Sequence, residues 1–126
     1  MKEFPQISEA ELEVMKVLWE LKKATSSQII EKLTKVKVWK PKTIQTLLNR
    51  LVAKGAVKAE KLSSKAFVYS PIIDETEYKS FASRSFLDKV FNGSLSLMVT
   101  SFVRGQKLSV EEIERLKKLL EDEVTK

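Results

Sequence analysis

Between positions 32 and 65 the chain carries ten cations, Lys32, Lys35, Lys37, Lys40, Lys42, Arg50, Lys54, Lys58, Lys61 and Lys65, against one acid, Glu60. A net charge of +9 over 34 residues attracts a polyanion. The alternative is a solvated basic face kept for solubility. Among these cations Ile44, Leu47, Leu48 and Leu51 recur at helical spacing and mark the inward face of one helix. A step of about 100° per residue then turns Lys42, Thr46, Asn49 and Ala53 outward, with Thr43 and Arg50 flanking them. Such a face suits a DNA major groove. Arg50 forks to guanine acceptors or clamps a phosphate, Asn49 matches adenine, and Thr43 and Thr46 offer a methyl and a hydroxyl to a thymine methyl or a phosphate oxygen. Thr46 and Arg50 are placed to read bases, while Lys42 and Thr43, at the helix start, are placed for phosphate. Lys40, Lys54, Lys61 and Lys65 are candidates for phosphate alone. The competing reading of each residue is an ordinary solvated helix face.

Other chemistry is poorly supplied. The chain has no Cys and no His, which removes disulfides, zinc fingers, thiol nucleophiles, the commonest general base and the commonest metal ligand. Metal could be held only by carboxylates, and neither a metal site nor a cofactor is expected. Glu111, Glu112 and Glu114 could be read as acid and base, but their place in the first turn of a helix suits the macrodipole better. No Ser has a Lys three residues on and no Gly-rich phosphate loop exists, so an enzyme is not expected. Trp19 and Trp39 could stack on bases, yet Trp19 falls on a buried helix face and Trp39 in a turn, where core packing is the simpler role. No apolar run exceeds the four residues Ala66 to Tyr69, and the first residues lack a signal-type segment. A soluble cytoplasmic protein that does not insert into membranes is expected.

The elements that must position the basic face follow from local signals. Ser8-Glu9-Ala10-Glu11 is a capping box, and Leu12, Met15, Leu18 and Trp19 continue a first helix to Lys22-Lys23. Thr25-Ser26-Ser27-Gln28 repeats the signature for a second helix, with Ile29, Ile30 and Leu33 inward and its end near Lys35. After the connector Val36 to Lys40, Pro41 starts the third helix and Gly55 caps it. Val57 to Glu60 and Ala66 to Ser70 then read as two strands, with Leu62 to Lys65 as the turn. Three short helices followed at once by a hairpin are the order of a winged helix-turn-helix domain, expected over residues 1–71.

Of the 126 residues, the 70 before Pro71 carry net +7 and the remainder net −1. The later part is therefore a different kind of module. Asp74 caps a helix lined by Tyr78, Phe81, Ala82, Phe86, Val90 and Phe91. Ser94 to Arg104 is apolar nearly all round, and Ser109-Val110-Glu111-Glu112 opens a last helix with Ile113, Leu116, Leu120 and Val124 on one face. Residues 72–126 hold four of the six Phe, more apolar surface than three short helices bury among themselves. A second copy is the simplest cover, because twofold symmetry lets one apolar surface complement itself and doubles the basic module. The expected dimerisation residues are Phe81, Phe86, Phe91, Leu95, Met98, Phe102, Ile113, Leu116 and Leu120. The alternative is a satellite core packed on the chain's own first module. The expected class is thus mainly α, a winged helix-turn-helix DNA-binding domain followed by a three-helix dimerisation domain.

The strings Ile7 to Trp19, Trp39 to Leu51 and Lys54-Gly55-Ala56 resemble the penicillinase-repressor (BlaI/MecI) family, and the likeness extends to Phe67-Val68-Tyr69-Ser70-Pro71, Ser85-Phe86-Leu87, Asn92-Gly93-Ser94 and Leu97-Met98-Val99. The resemblance implies a dimeric repressor on a palindromic operator with TACA and TGTA elements, controlling β-lactam resistance or related genes. The family's third-helix contacts fall on Lys42, Thr43, Thr46 and Arg50. It implies, too, a membrane sensor-protease that triggers cleavage in the dimerisation domain, at the position of Ser101-Phe102. Three positions depart from the family pattern: Lys40 where close relatives often carry a capping Ser, a wing tip Lys61-Leu62-Ser63-Ser64-Lys65 without its usual Gly, and Ser101 in place of Asn. The copper-responsive branch uses a C-terminal Cys cluster, which this chain lacks. The rivals are a winged helix protein-protein adaptor and a repressor of the same fold that answers another signal.

Overall fold

The computed structural model describes residues 4–124. The chain folds as α1 (Glu9–Leu21), β1 (Ala24–Thr25), α2 (Ser26–Thr34), α3 (Pro41–Ala53), β2 (Val57–Ser63), β3 (Ala66–Pro71), α4 (Glu75–Phe91), α5 (Leu95–Arg104) and α6 (Val110–Val124). It is mainly helical, with one small antiparallel sheet in the order β1-β3-β2.

Reciprocal caps set the starts of the first two helices. At α1 the Ser8 hydroxyl accepts the Glu11 backbone N–H at 3.1 Å, and the Glu11 carboxylate accepts the Ser8 N–H at 2.9 Å. Thr25 and Gln28 repeat the arrangement at α2. These bonds satisfy N–H groups that the helix itself cannot. The start of α3 relies on Pro41 alone, since Lys40 caps with no side-chain bond. Its end is firmer. The N–H groups of Gly55 and Ala56 close on the carbonyls of Val52 and Leu51, each at 3.0 Å, and Gly55 adopts φ +80°, where a side chain would be strained.

The core of the first unit is built from Val14, Met15 and Leu18 of α1, Ile29 and Leu33 of α2, and Ile44, Leu47, Leu48 and Leu51 of α3, closed by Val57 and Tyr69 of the sheet. Leu47 and Leu48 are both buried because α3 packs on α1, α2 and the hairpin at once. Two local features differ from the sequence expectation. The two-residue strand β1 pairs Ala24 with Tyr69 and Thr25 with Val68, making β3 the central strand. The wing turn is shorter than expected, because Lys61 pairs with Phe67 and Ser63 with Ala66; Leu62 is the extra residue of a bulge inside β2.

Packing divides the chain ten residues beyond the expected boundary at Pro71. The first compact unit extends through Phe81 and the second begins at Ala82. Ile73 is buried in the first core and its carbonyl accepts the Trp19 indole N–H at 2.9 Å. Tyr78 and Phe81, in the first turns of α4, stack with Phe4 at centroid distances of 6.0 and 4.9 Å. In the second unit Asn92 and Gly93 take positive φ between α4 and α5, Ser94 caps α5, and the Ser109–Glu112 box starts α6. Neither α5 nor α6 contains a buried residue.

Candidate nucleic-acid interface

The α3 stripe that enters the core leaves Lys42, Thr43, Thr46, Asn49 and Arg50 exposed on the helix surface, as its periodicity requires. Two of these side chains are held in place. Gln45, half-buried, donates from Nε2 to Asn49 Oδ1 at 3.0 Å and to the Tyr69 hydroxyl of β3 at 3.3 Å. Asn49 thus keeps its amide N–H groups and one carbonyl lone pair for an outside partner. The Thr46 hydroxyl donates to the Lys42 carbonyl at 3.0 Å, which leaves its methyl and its acceptor lone pairs outward. Sequence reasoning missed Gln45, for which the available signal was its spacing of four from Asn49.

The ion pairs divide the cations of the basic stretch into two sets. Lys32 pairs with Glu20, Lys35 with Glu31, Lys37 with Glu13, Lys54 with Glu11 and Lys58 with Glu60. Among the described residues, Lys40, Lys42 and Arg50 around α3 and Lys61 and Lys65 at the wing tip have no carboxylate partner. The unneutralised charge is therefore gathered on the two elements that a winged helix presents to a duplex.

Lys54, one of the expected phosphate candidates, is engaged within the chain. Its ammonium lies 2.5 Å from a Glu11 carboxylate oxygen and donates to the Gln6 carbonyl at 2.7 Å. Glu11 is the buried acid of the core, 2% exposed. Burial raises its pKa, but the hydrogen bond from Lys54, the Ser8 bonds and the Lys54 charge outweigh that and hold it below the ordinary value. Glu13 is also held low by hydrogen bonds from Lys16 and Lys37. Trp19 and Trp39 are half-buried against the core, and the Lys37 ammonium sits 5.7 Å from the centre of the Trp39 ring.

The residues expected at a dimer contact remain open within the chain. Phe81, Phe86, Leu95, Phe102 and Leu120 are exposed, while Phe91, Met98, Ile113 and Leu116 are only half-buried. Phe81 belongs to the first unit, beside Phe4; Phe86 and Phe91 contact edge to face at 5.9 Å. Ser101 and Phe102 are both exposed, inside helical α5. Among the described residues no group of three acids could hold a metal ion, and no helix is long and apolar enough to cross a membrane.

The sequence profile of the family described as "Penicillinase repressor" matches residues 7–122. The chain is 48% identical over 122 residues to the penicillinase repressor of Bacillus licheniformis, covering 97% of this chain and 94% of that one. It is 40% identical over 115 residues to the methicillin resistance regulatory protein MecI of Staphylococcus aureus, covering 91% and 93%. A solution structure of the monomeric form of Bacillus licheniformis BlaI in complex with the blaP half-operator superposes with a TM-score of 0.54. It is 51% identical and covers 62% of this chain and 94% of that one.

Proposed function

The chain belongs to the penicillinase repressor family, and from that premise we propose that it is a DNA-binding transcriptional repressor of β-lactam resistance genes. The family is one of repressors and not of enzymes. The observation that carries the reading is the gathering of unneutralised Lys40, Lys42 and Arg50 on α3 and its cap, with Lys61 and Lys65 on the wing. Lys42 and Thr43, in the first turn, supply a phosphate contact assisted by the helix N-terminus. Thr46, Asn49 and Arg50, one and two turns on, supply base-edge contacts. Lys40, Lys61 and Lys65 add phosphate contacts on either side.

The reading includes a homodimer formed through the second unit, which places two α3 helices on a palindrome of the TACA/TGTA kind with half-sites one helical turn, about 10 bp, or a multiple apart. The exposed apolar side chains of α4 to α6 support this. It includes a cytoplasmic location and release by a membrane sensor-protease, with the cut at Ser101-Phe102 as the candidate site. Both residues are exposed, which supports the cut, although the segment must leave its helix to enter a protease.

The test is fluorescence anisotropy of the full chain on the palindrome and on a scrambled duplex from low to high salt. Tighter binding of the palindrome, with affinity that falls steeply with salt, is expected. Equal affinity for both duplexes would refute sequence-specific repression, and no DNA binding at all would favour the adaptor reading.

A further inference from the structure

Glu11 is the one buried charged residue among those described, and its carboxylate joins two distant elements. On one side it accepts the Ser8 N–H that starts α1. On the other the same oxygen takes the ammonium of Lys54, the residue capping the end of α3, 43 positions along the chain. Lys54 spends a second donor on the Gln6 carbonyl, just before α1. Its backbone N–H closes on the Arg50 carbonyl at 3.0 Å. A carboxylate this deeply buried needs a partner, and an isolated one is costly, so the pair holds its geometry far better than an exposed bridge does. The cation fixed by Glu11 therefore sits one helical turn from Arg50.

We propose that Glu11 and Lys54 form an internal latch that positions the reading helix, and that Lys54, although it lies in the most basic stretch of the chain, is withheld from DNA. Glu11 is on this account a positioning residue that acts on DNA recognition through α3. The proposal rests on the DNA-binding reading for its effect on affinity, but the latch itself is a property of the unbound chain.

Salt dependence separates positioning from direct binding of phosphate. Deleting a cation that touches a phosphate lowers the slope of log K against log salt by about one unit, whereas a displaced helix weakens binding without that signature. The full chain and the variants Glu11→Gln, Lys54→Met and the double variant are compared on operator DNA. A several-fold loss of affinity at unchanged slope is expected for each, with the double variant no worse than the worse single one, because both act on one interaction. The double variant removes both charges and so remains foldable if Lys54→Met alone, which strands the buried carboxylate, is too unstable. A slope reduced by about one unit in Lys54→Met or in the double variant would overturn the proposal. So would Glu11→Gln binding as tightly as the parent or more tightly, as expected of a Lys54 released to reach phosphate.

A second measurement needs no DNA. Amide hydrogen exchange of residues 54–56 in the unbound chain is expected to rise in Glu11→Gln relative to the core of α1. Unchanged exchange there overturns the latch whatever the DNA result. If exchange rises but Arg50→Ala leaves operator binding unaffected, the latch stands and the assignment of α3 as reader fails.

Discussion

Arg50 and Thr43 differ in what they can tell a duplex: a guanidinium fork discriminates among bases, while a hydroxyl at a helix start meets a phosphate present in every sequence. Arg50→Ala is expected to cost about 1–3 kcal/mol of operator binding and to relax the base preference at one half-site position, read by anisotropy on single-substitution operators. Unchanged preference would place base reading on other residues. At the same scale, the lowered pKa of Glu11 gives a pH dependence of fixed sign. A carboxyl whose folded pKa lies below its unfolded value of 4.5 contributes stability that is present above 4.5 and is lost as pH falls through the folded value. Thermal melts between pH 6 and pH 3 should therefore show a steeper acid loss for the parent than for Glu11→Gln. The exposed face of α3 was legible because residues three and four apart share a side of a helix. The pairing of Lys54 with Glu11 was not legible, because its partner is 43 positions away and only packing brings the two together.

Among the elements, α3 carries the proposed recognition and has the least supported start. Lys40 occupies the cap position without a side-chain bond, while α1, α2 and α6 each have a reciprocal box. Lys40→Ser is expected to raise stability by about 1 kcal/mol, seen as a higher melting temperature. On DNA the same change should weaken binding and lower the salt slope by about one unit, since it removes one proposed phosphate contact. A higher melting temperature with an unchanged slope would remove Lys40 from the interface. The boxes at Ser8, Thr25 and Ser109 could be read from sequence because each is closed by residues three apart. The strand β1 could not, since Ala24-Thr25 is too short to alternate and exists only by pairing with Tyr69 and Val68. Leu62 looked like turn because its neighbours are polar; the bulge keeps it in β2.

At the scale of the molecule, the change of charge falls at Pro71, while the compact first unit runs ten residues further and takes in Ile73, Tyr78 and Phe81. Composition marks a change of role, whereas the boundary follows packing that composition does not encode. Phe102→Asp and Leu116→Asp are each expected to give monomers in sedimentation equilibrium, while residues 1–81 alone should be folded and monomeric. A dimeric 1–81 fragment would move the self-contact to the first unit. Mass spectrometry of the chain from β-lactam-treated cells should show a break between Ser101 and Phe102; intact chain with an induced promoter would exclude cleavage as the switch.

The lack of any buried residue in α5 and α6 bears on how much repressor a cell maintains. If those helices complete their cores only against another copy, their folding is second order, and the fraction of competent molecules rises with abundance. Below a threshold dose the unmatched chains expose apolar helices that quality-control proteases recognise, so scarcity deepens itself. Above it, molecules shelter one another and turnover slows. A promoter controlled by such a protein would respond to a modest fall in synthesis more sharply than in proportion.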